Sequence, residues 1–195
     1  MNNILLVDDN DNVIGTASKE SCHADGKLHR AFSIFVYCPQ MAQFLLQKRA
    51  KDKYHSGGLW ANSCCSHPAN TDELANTMRN RLEDELGIRI GQSEINYATT
   101  PNEALFNYAG KFRYKVKLGN LWENEIDHVF VLIVDSTQLD ISQFNLEEVE
   151  SLKWETKESI VEQFAASPTS FAAWFYPAFK LAQKTIEKDC LRSSV

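Results

Sequence analysis

The chain of 195 residues is long enough to bury a substantial core as one domain, 1–195. Its composition, 44% hydrophobic and 24% charged, is that of an ordinary globular protein, and no apolar run is long enough to span a bilayer. A formal charge of −6 sets the surface as a whole against nucleic acid, yet leaves room for an anionic small molecule where basic groups converge.

The five cysteines, Cys22, Cys38, Cys64, Cys65 and Cys190, are odd in number and irregularly spaced, unlike a secreted disulfide framework, and no CxxC pair marks a zinc knuckle. The first apolar stretch is four residues long, follows no basic region and runs straight into acids, so it reads as a strand and not a signal peptide. These features predict a cytoplasmic protein in reducing surroundings, with no membrane partner.

Residues 4–7 and 13–17 flank the turn-rich Asp9-Asn10-Asp11-Asn12 and predict an opening hairpin. Residues 32–38 and 43–48, about Pro39-Gln40-Met41-Ala42, predict a second. Leu74, Met78, Leu82 and Leu86 recur every four residues and predict a helix over 71–87, capped by Thr71, with acids in its first turn and Gly87 at its end. Residues 112–118 alternate as a strand, and 126–134, more continuously apolar, read as a more central one. Helices over 156–166 and 178–188 follow, the second entered through Tyr176-Pro177, where proline is tolerated in a first turn. Strands mixed with three helices predict an α/β sandwich.

Four segments hold residues suited to chemistry. In Trp60-Ala61-Asn62-Ser63-Cys64-Cys65-Ser66-His67-Pro68 a thiol stands two residues from an imidazole, in a stretch too polar for a buried strand. An imidazole or a metal cation nearby activates a thiol; the plain alternative is a loop that contains cysteine. Glu123 and Glu125 stand at the mouth of the apolar strand and share a face if the strand has begun, where a cation would relieve their repulsion. His23 and His29 bracket a glycine turn. Three imidazoles (His23, His29, His67) with two carboxylates suit zinc, manganese or iron(II) and not calcium. The helix end Arg81-Leu82-Glu83-Asp84-Glu85-Leu86-Gly87 puts Arg81 and Glu85 on one face, as a salt bridge or as part of a site.

That helix end resembles the tail of the Nudix box, whose acids hold magnesium on a diphosphate. With Leu28-His29-Arg30-Ala31-Phe32-Ser33, the 60–68 segment and Glu123-Asn124-Glu125, the chain is similar from about Lys19 to Trp174 to type I isopentenyl-diphosphate isomerase, a Nudix-fold family. The resemblance implies a Nudix-like α/β/α sandwich with a mixed sheet flanked by helices. It implies a transition metal (zinc, manganese or iron(II)) on His23, His29, His67, Glu123 and Glu125, and a magnesium ion on Glu85 bridging to the substrate diphosphate. Cys65 matches the family's catalytic thiol and Glu125 its catalytic carboxylate, with Tyr114 beside it. Lys19, Arg49, Lys53 and Arg81 match its phosphate-contacting cations, and Trp174 a tryptophan over the hydrocarbon end. The chain departs from the pattern in places: Asp84 stands where the box has a glutamate and the box's arginine–glutamate pair is out of place, Ala173 replaces a proline, and Cys64 puts a second sulfur beside the first.

The implied reaction moves a double bond between isopentenyl and dimethylallyl diphosphate, small-molecule substrates, in a monomer. An alkene is a poor base, so an acid must be held against it in a dry pocket, and an indole face can stabilise the resulting carbocation. Glu125 with Tyr114 is expected to protonate and Cys65 to deprotonate. The rivals are a Nudix diphosphate hydrolase, which does not need Cys65; a structural zinc module, whose sites are usually cysteine-rich; and a cysteine hydrolase, which leaves Glu123 and Glu125 unexplained.

Overall fold

The structure, a computed structural model, describes residues 3–71, 74–90, 106–135, 139 and 141–192, the last four as backbone only. Among them nine strands form one sheet: β1 Asn3–Val7, β2 Val13–Ser18, β3 His29–Cys38, β4 Gln43–Arg49, β5 Trp60–Ala61, β6 Cys64–Ser66, β7 Phe106–Leu118, β8 Leu121–Ile133 and β9 Val149–Thr156. The α-helices are α1 Lys19–Asp25, α2 Leu74–Leu86, α3 Lys157–Ala166 and α4 Phe175–Arg192.

β3 is the spine. It runs parallel to β8 from His29↔Glu125 to Tyr37↔Ile133, and antiparallel to β4 and β6. β7 pairs antiparallel with β8, and β9 with β4. One parallel pair among antiparallel neighbours makes the sheet mixed, with both faces covered. Ile34, Val36, Leu45, Phe130 and Leu132 pack with Met78, Leu82 and Leu86 of α2. Phe35, Phe44, Val129 and Val131 pack on the opposite face with Ile160 of α3 and Phe175 and Phe179 of α4. The molecule is therefore the α/β/α sandwich expected. Alternation along β8 then decides its chemistry: Glu123, Glu125 and Asp127 fall on the α4 face with Val129 and Val131.

Both hairpins form, and α3 starts behind Thr156, whose hydroxyl accepts from Ser159 N at 3.2 Å. Asp72 and Glu73, the acids expected in the first turn of α2, lie outside the described residues. Three elements differ from the sequence reading. α1 replaces the loop expected before His29: Ser18 caps it, and Gly26 ends it in the left-handed region at φ 67°, where a Cβ would stand 3.1 Å from the Trp122 ring. β9 is an additional strand. The 60–68 segment is not too polar for burial, because Asn62 and Ser63, both fully buried, are hydrogen-bonded. Asn62 donates to the carbonyls of Ile34 and Cys64, while Ser63 donates to Leu45 O at 2.6 Å and accepts from Val36 N at 2.7 Å.

Candidate active site and metal centre

Four strands and a helix build the centre. Tyr114, Glu125 and His29 stand opposite one another in register on β7, β8 and β3, one row across the sheet. β6 brings Cys65 opposite Ser33 and leads His67 to the same row. α1 packs on β8 and buries His23. The Tyr114 hydroxyl donates to Glu125 Oε2 at 2.7 Å, and lies 3.3 Å from Glu123 Oε2.

The imidazoles are oriented from behind. Nδ1 of His23 donates to Lys19 O and Nδ1 of His29 to Lys27 O, each at 2.8 Å. That tautomer leaves a lone pair on each inward Nε2. Yet Nε2 of His29 and of His67 stand 3.2 and 2.8 Å from Glu125 Oε1, and Nε2 of His23 stands 3.3 Å from Glu123 Oε1. Lone pairs facing carboxylate oxygens at these distances need a proton or a cation between them. Glu123 Oε1 is buried and takes no hydrogen bond. The donor atoms of His23, His29, His67 and Glu125 all lie within 4.8 Å of one another. This set fits a divalent transition ion. Burial works to raise the Glu125 carboxyl, but the positive charge it meets on the His67 side, a proton's or a cation's, holds it well below the ordinary range. Burial depresses His67 to about 4, keeping it neutral and able to ligate.

The row opens on a cavity of about 570 Å³. Cys65, Glu125, Tyr114, Trp174, Lys19, Arg49, Lys53, Arg81, Glu85, His67 and Glu123 all line it; His23 and His29 do not and are fully buried. Burial pushes the Cys65 thiol up to about 12, against the pull of Arg49, whose Nη1 is 3.8 Å from the sulfur. Cys64 faces away into the α2 side of the core, fully buried. Trp174 is fixed by donating from Nε1 to Asn62 at 3.0 Å, with the Arg49 guanidinium 5.4 Å from its ring. Burial lowers the Lys19 ammonium. Lys53 is paired with Glu148, and Arg81 with Glu85 and, at 3.6 Å, Glu148. Burial raises the Glu85 carboxyl, opposed by Arg81.

Sequence reasoning missed three residues here. His55 lines the cavity with Nε2 3.0 Å from Glu123 Oε1. Glu148 sits between Lys53 and Arg81 just ahead of β9; the acidic pair Glu147-Glu148 is its only signal in the sequence. Asp127, two residues past Glu125 on the same face, lines the cavity and accepts from Ser33 at 2.8 Å, and burial raises its carboxyl well above the usual range.

No protein-family model matches the chain. Solved structures share its architecture: DR0079 from Deinococcus radiodurans (TM-score 0.63, 17% identity, 93% of this chain and 98% of that one), and the Nudix domain of Shewanella oneidensis NrtR (TM-score 0.56, 10% identity, 82% and 87%). The fold is thus that of the Nudix proteins. Within it the sequence is 37% identical over 177 residues to isopentenyl-diphosphate Delta-isomerase of Pectobacterium atrosepticum, covering 90% of this chain and 88% of that protein. It is 41% identical over 175 residues to the isopentenyl-diphosphate Delta-isomerase of Photobacterium profundum, covering 88% and 89%. The chain belongs to the isopentenyl-diphosphate Delta-isomerase family, and is an isomerase.

Proposed function

We propose that the chain interconverts isopentenyl and dimethylallyl diphosphate, adding a proton to one end of the alkene unit and removing one from the other through a tertiary carbocation. The observation that carries this reading is the meeting on one cavity wall of the Cys65 thiol and a carboxyl, Glu125, that is hydrogen-bonded to Tyr114 and set above a cluster of imidazoles. Lys19, Arg49, Lys53 and Arg81 hold the diphosphate, and Trp174 covers the hydrocarbon and faces the cationic centre. Enclosure by these side chains keeps water from quenching the cation.

Glu125, fed by Tyr114, protonates the terminal carbon, and Cys65 takes a proton from the methylene on the other side of the cationic carbon. In the resting protein the protons are placed for the opposite direction, with Cys65 a thiol and Glu125 a carboxylate. By microscopic reversibility the two assignments are the two directions of one reaction, so the forward direction starts after a proton moves from sulfur to carboxyl. Arg49, beside the sulfur, stabilises the thiolate this leaves.

His23, His29, His67, Glu123 and Glu125 would hold one zinc, manganese or iron(II) ion. When bound it supplies a fixed positive charge that compensates the two carboxylates and orients Glu125. Glu85 would hold magnesium, which neutralises diphosphate charge; one carboxylate with phosphate oxygens and water suits that ion. The −6 charge supports a small-molecule partner over nucleic acid, and we read the chain as a cytoplasmic, single-domain monomer.

The fold it shares with Nudix proteins motivates the hydrolase alternative. Purified protein supplied with metal and magnesium should convert isopentenyl to dimethylallyl diphosphate while releasing no phosphate from nucleoside diphosphates. Phosphate release without isomerisation would overturn the proposal.

A further inference from the structure

His55 stands in the loop between β4 and β5, which nothing in the sequence marks as part of a metal centre. That loop is pinned. Gly58 N donates to Arg49 O at 3.0 Å and Arg49 N to Leu59 O at 2.9 Å, closing its neck. Gly57 lies so close to Lys51 that a Cβ would stand 2.3 Å from the Lys51 carbonyl oxygen. So held, the His55 side chain is 7% exposed and its ring stacks on that of His23, centroids 5.8 Å apart and planes at 20°.

Its Nε2 is 3.0 Å from Glu123 Oε1, and Nε2 of His23 is 3.3 Å from the same oxygen. Neither contact is aligned as a hydrogen bond, and Glu123 Oε1 has no hydrogen-bond partner. Close, unaligned contacts of this kind are what ligands of a common ion show: with bonds of about 2.1 Å, ligands at right angles stand about 3.0 Å apart. The donor atoms of His23, His55 and Glu123 lie within 4.8 Å of one another, as do those of His23, His29, His67 and Glu125. The two groups share His23. Its Nδ1 is spent on Lys19 O, so a single lone pair on Nε2 remains and it can serve one ion only. Without His23 the outer group would keep only His55 and Glu123. One ion drawing on both groups uses every donor; the six are not all within 4.8 Å of one another, so the ion must draw the two groups together to the ~4.2 Å that opposite ligands allow.

We propose that His55 is a ligand of this metal, so that four imidazoles and two carboxylates fill the shell of a single ion. The proposal rests on the reading of the centre as a metal site. Six protein donors leave no place for substrate on the ion, which therefore organises Glu125 without touching the alkene. Four neutral rings and two carboxylates also balance a dication, removing net charge from a buried site.

The test is metal binding to the purified chain, read by elemental analysis, by chelator competition and by the visible spectrum of the cobalt(II) form. Wild type should bind one ion per chain at this centre, with the weak absorption of a six-coordinate cobalt. His55→Gln should raise the dissociation constant about 10- to 100-fold and strengthen the cobalt absorption as coordination falls, and His67→Asn should do likewise. His55→Ala, checked for folding by circular dichroism, should regain the wild-type spectrum when imidazole is added. If His67→Asn weakens binding while His55→Gln changes neither affinity nor spectrum, the metal centre stands and the role of His55 is refuted. Two ions at the centre would overturn the shared shell. No ion in wild type would overturn the metal reading itself.

Discussion

Replacing Tyr114 by phenylalanine removes one atom from the centre, and the structure fixes what that atom does. The hydroxyl donates to Glu125 Oε2 at 2.7 Å and lies 3.3 Å from Glu123 Oε2. The ring, 5.7 Å from Phe112 and 6.4 Å from Trp174, keeps its packing in Tyr114→Phe, so the melting temperature should fall only by what the hydrogen bond is worth, about 3–12 °C. A hydrogen bond to a charged group is worth about 1.5–3 kcal/mol. Proton delivery from Glu125 makes this bond part of the transition state, and at 1.36 kcal/mol per decade its loss should lower kcat about 10- to 160-fold. KM should change little, because the hydroxyl faces the carboxylates and not the cations of the diphosphate end. Steady-state kinetics on isopentenyl diphosphate, with circular dichroism as a folding control, reads both. A kcat within twofold of wild type would refute the role given to the Tyr114–Glu125 pair.

Cys65→Ser should lower kcat about 10³-fold or more, because a hydroxyl exchanges protons far less readily than a thiol; Cys64→Ser should keep kcat and lose about 1–3 kcal/mol of stability in urea, for burying a hydroxyl among apolar side chains. Equal losses of kcat in both would refute the assignment of the sulfur. Lys53→Ala should raise KM about tenfold and change kcat less than about threefold, since a cation–phosphate contact is made before and throughout the reaction; an unchanged KM removes Lys53 from the diphosphate site. Chelation should abolish activity and one zinc or manganese per chain restore it, whereas full activity in protein shown metal-free by elemental analysis would exclude the metal. Away from the site, Asp11 accepts from Arg30 at 2.8 Å, Lys111 at 2.7 Å and His128 at 2.8 Å. Burial raises its carboxyl, but bonds from Lys111 and Arg30 outweigh that and hold it below 3.8. Its contribution is present above the unfolded value and lost as pH falls through the folded one. Asp11→Asn, which tolerates the left-handed backbone there, should therefore cost about 2 kcal/mol at pH 7 and progressively less below pH 4 in urea titrations, and an equal cost at both would contradict the sign.

What the sequence reveals follows the range of the forces involved. Turn residues and apolar periodicity are local, so both hairpins, α2 with its Arg81–Glu85 pair, and the shared face of Glu123 and Glu125 could be read from it. β6 could not: the burial of Asn62 and Ser63 depends on carbonyls of Ile34, Leu45 and Cys64, two of them on other strands. α1 is seven residues long, too short for periodicity to show, and rests on its Ser18 cap, its Gly26 end and its packing against β8. His55 and Glu148 belong to the site through partners at 68 and 95 residues' separation, Glu123 for the first and Lys53 for the second. Spacing along the chain carries no trace of such meetings. The motif residues from Lys19 to Trp174 were legible only as a resemblance, and the geometry supplies the physical reason for it: strand register puts Tyr114, Glu125 and His29 in one row.

The most direct test of the proposed chemistry is NMR of isopentenyl diphosphate turned over by the metal-loaded protein in deuterated water. Protonation by Glu125 and Tyr114, whose protons exchange with solvent, predicts dimethylallyl diphosphate carrying deuterium in a methyl group. Removal of a proton by Cys65 predicts that Cys65→Ser stops conversion. Dimethylallyl diphosphate formed without deuterium, or formed at an undiminished rate by Cys65→Ser, would contradict a proton addition and removal shared by these two residues.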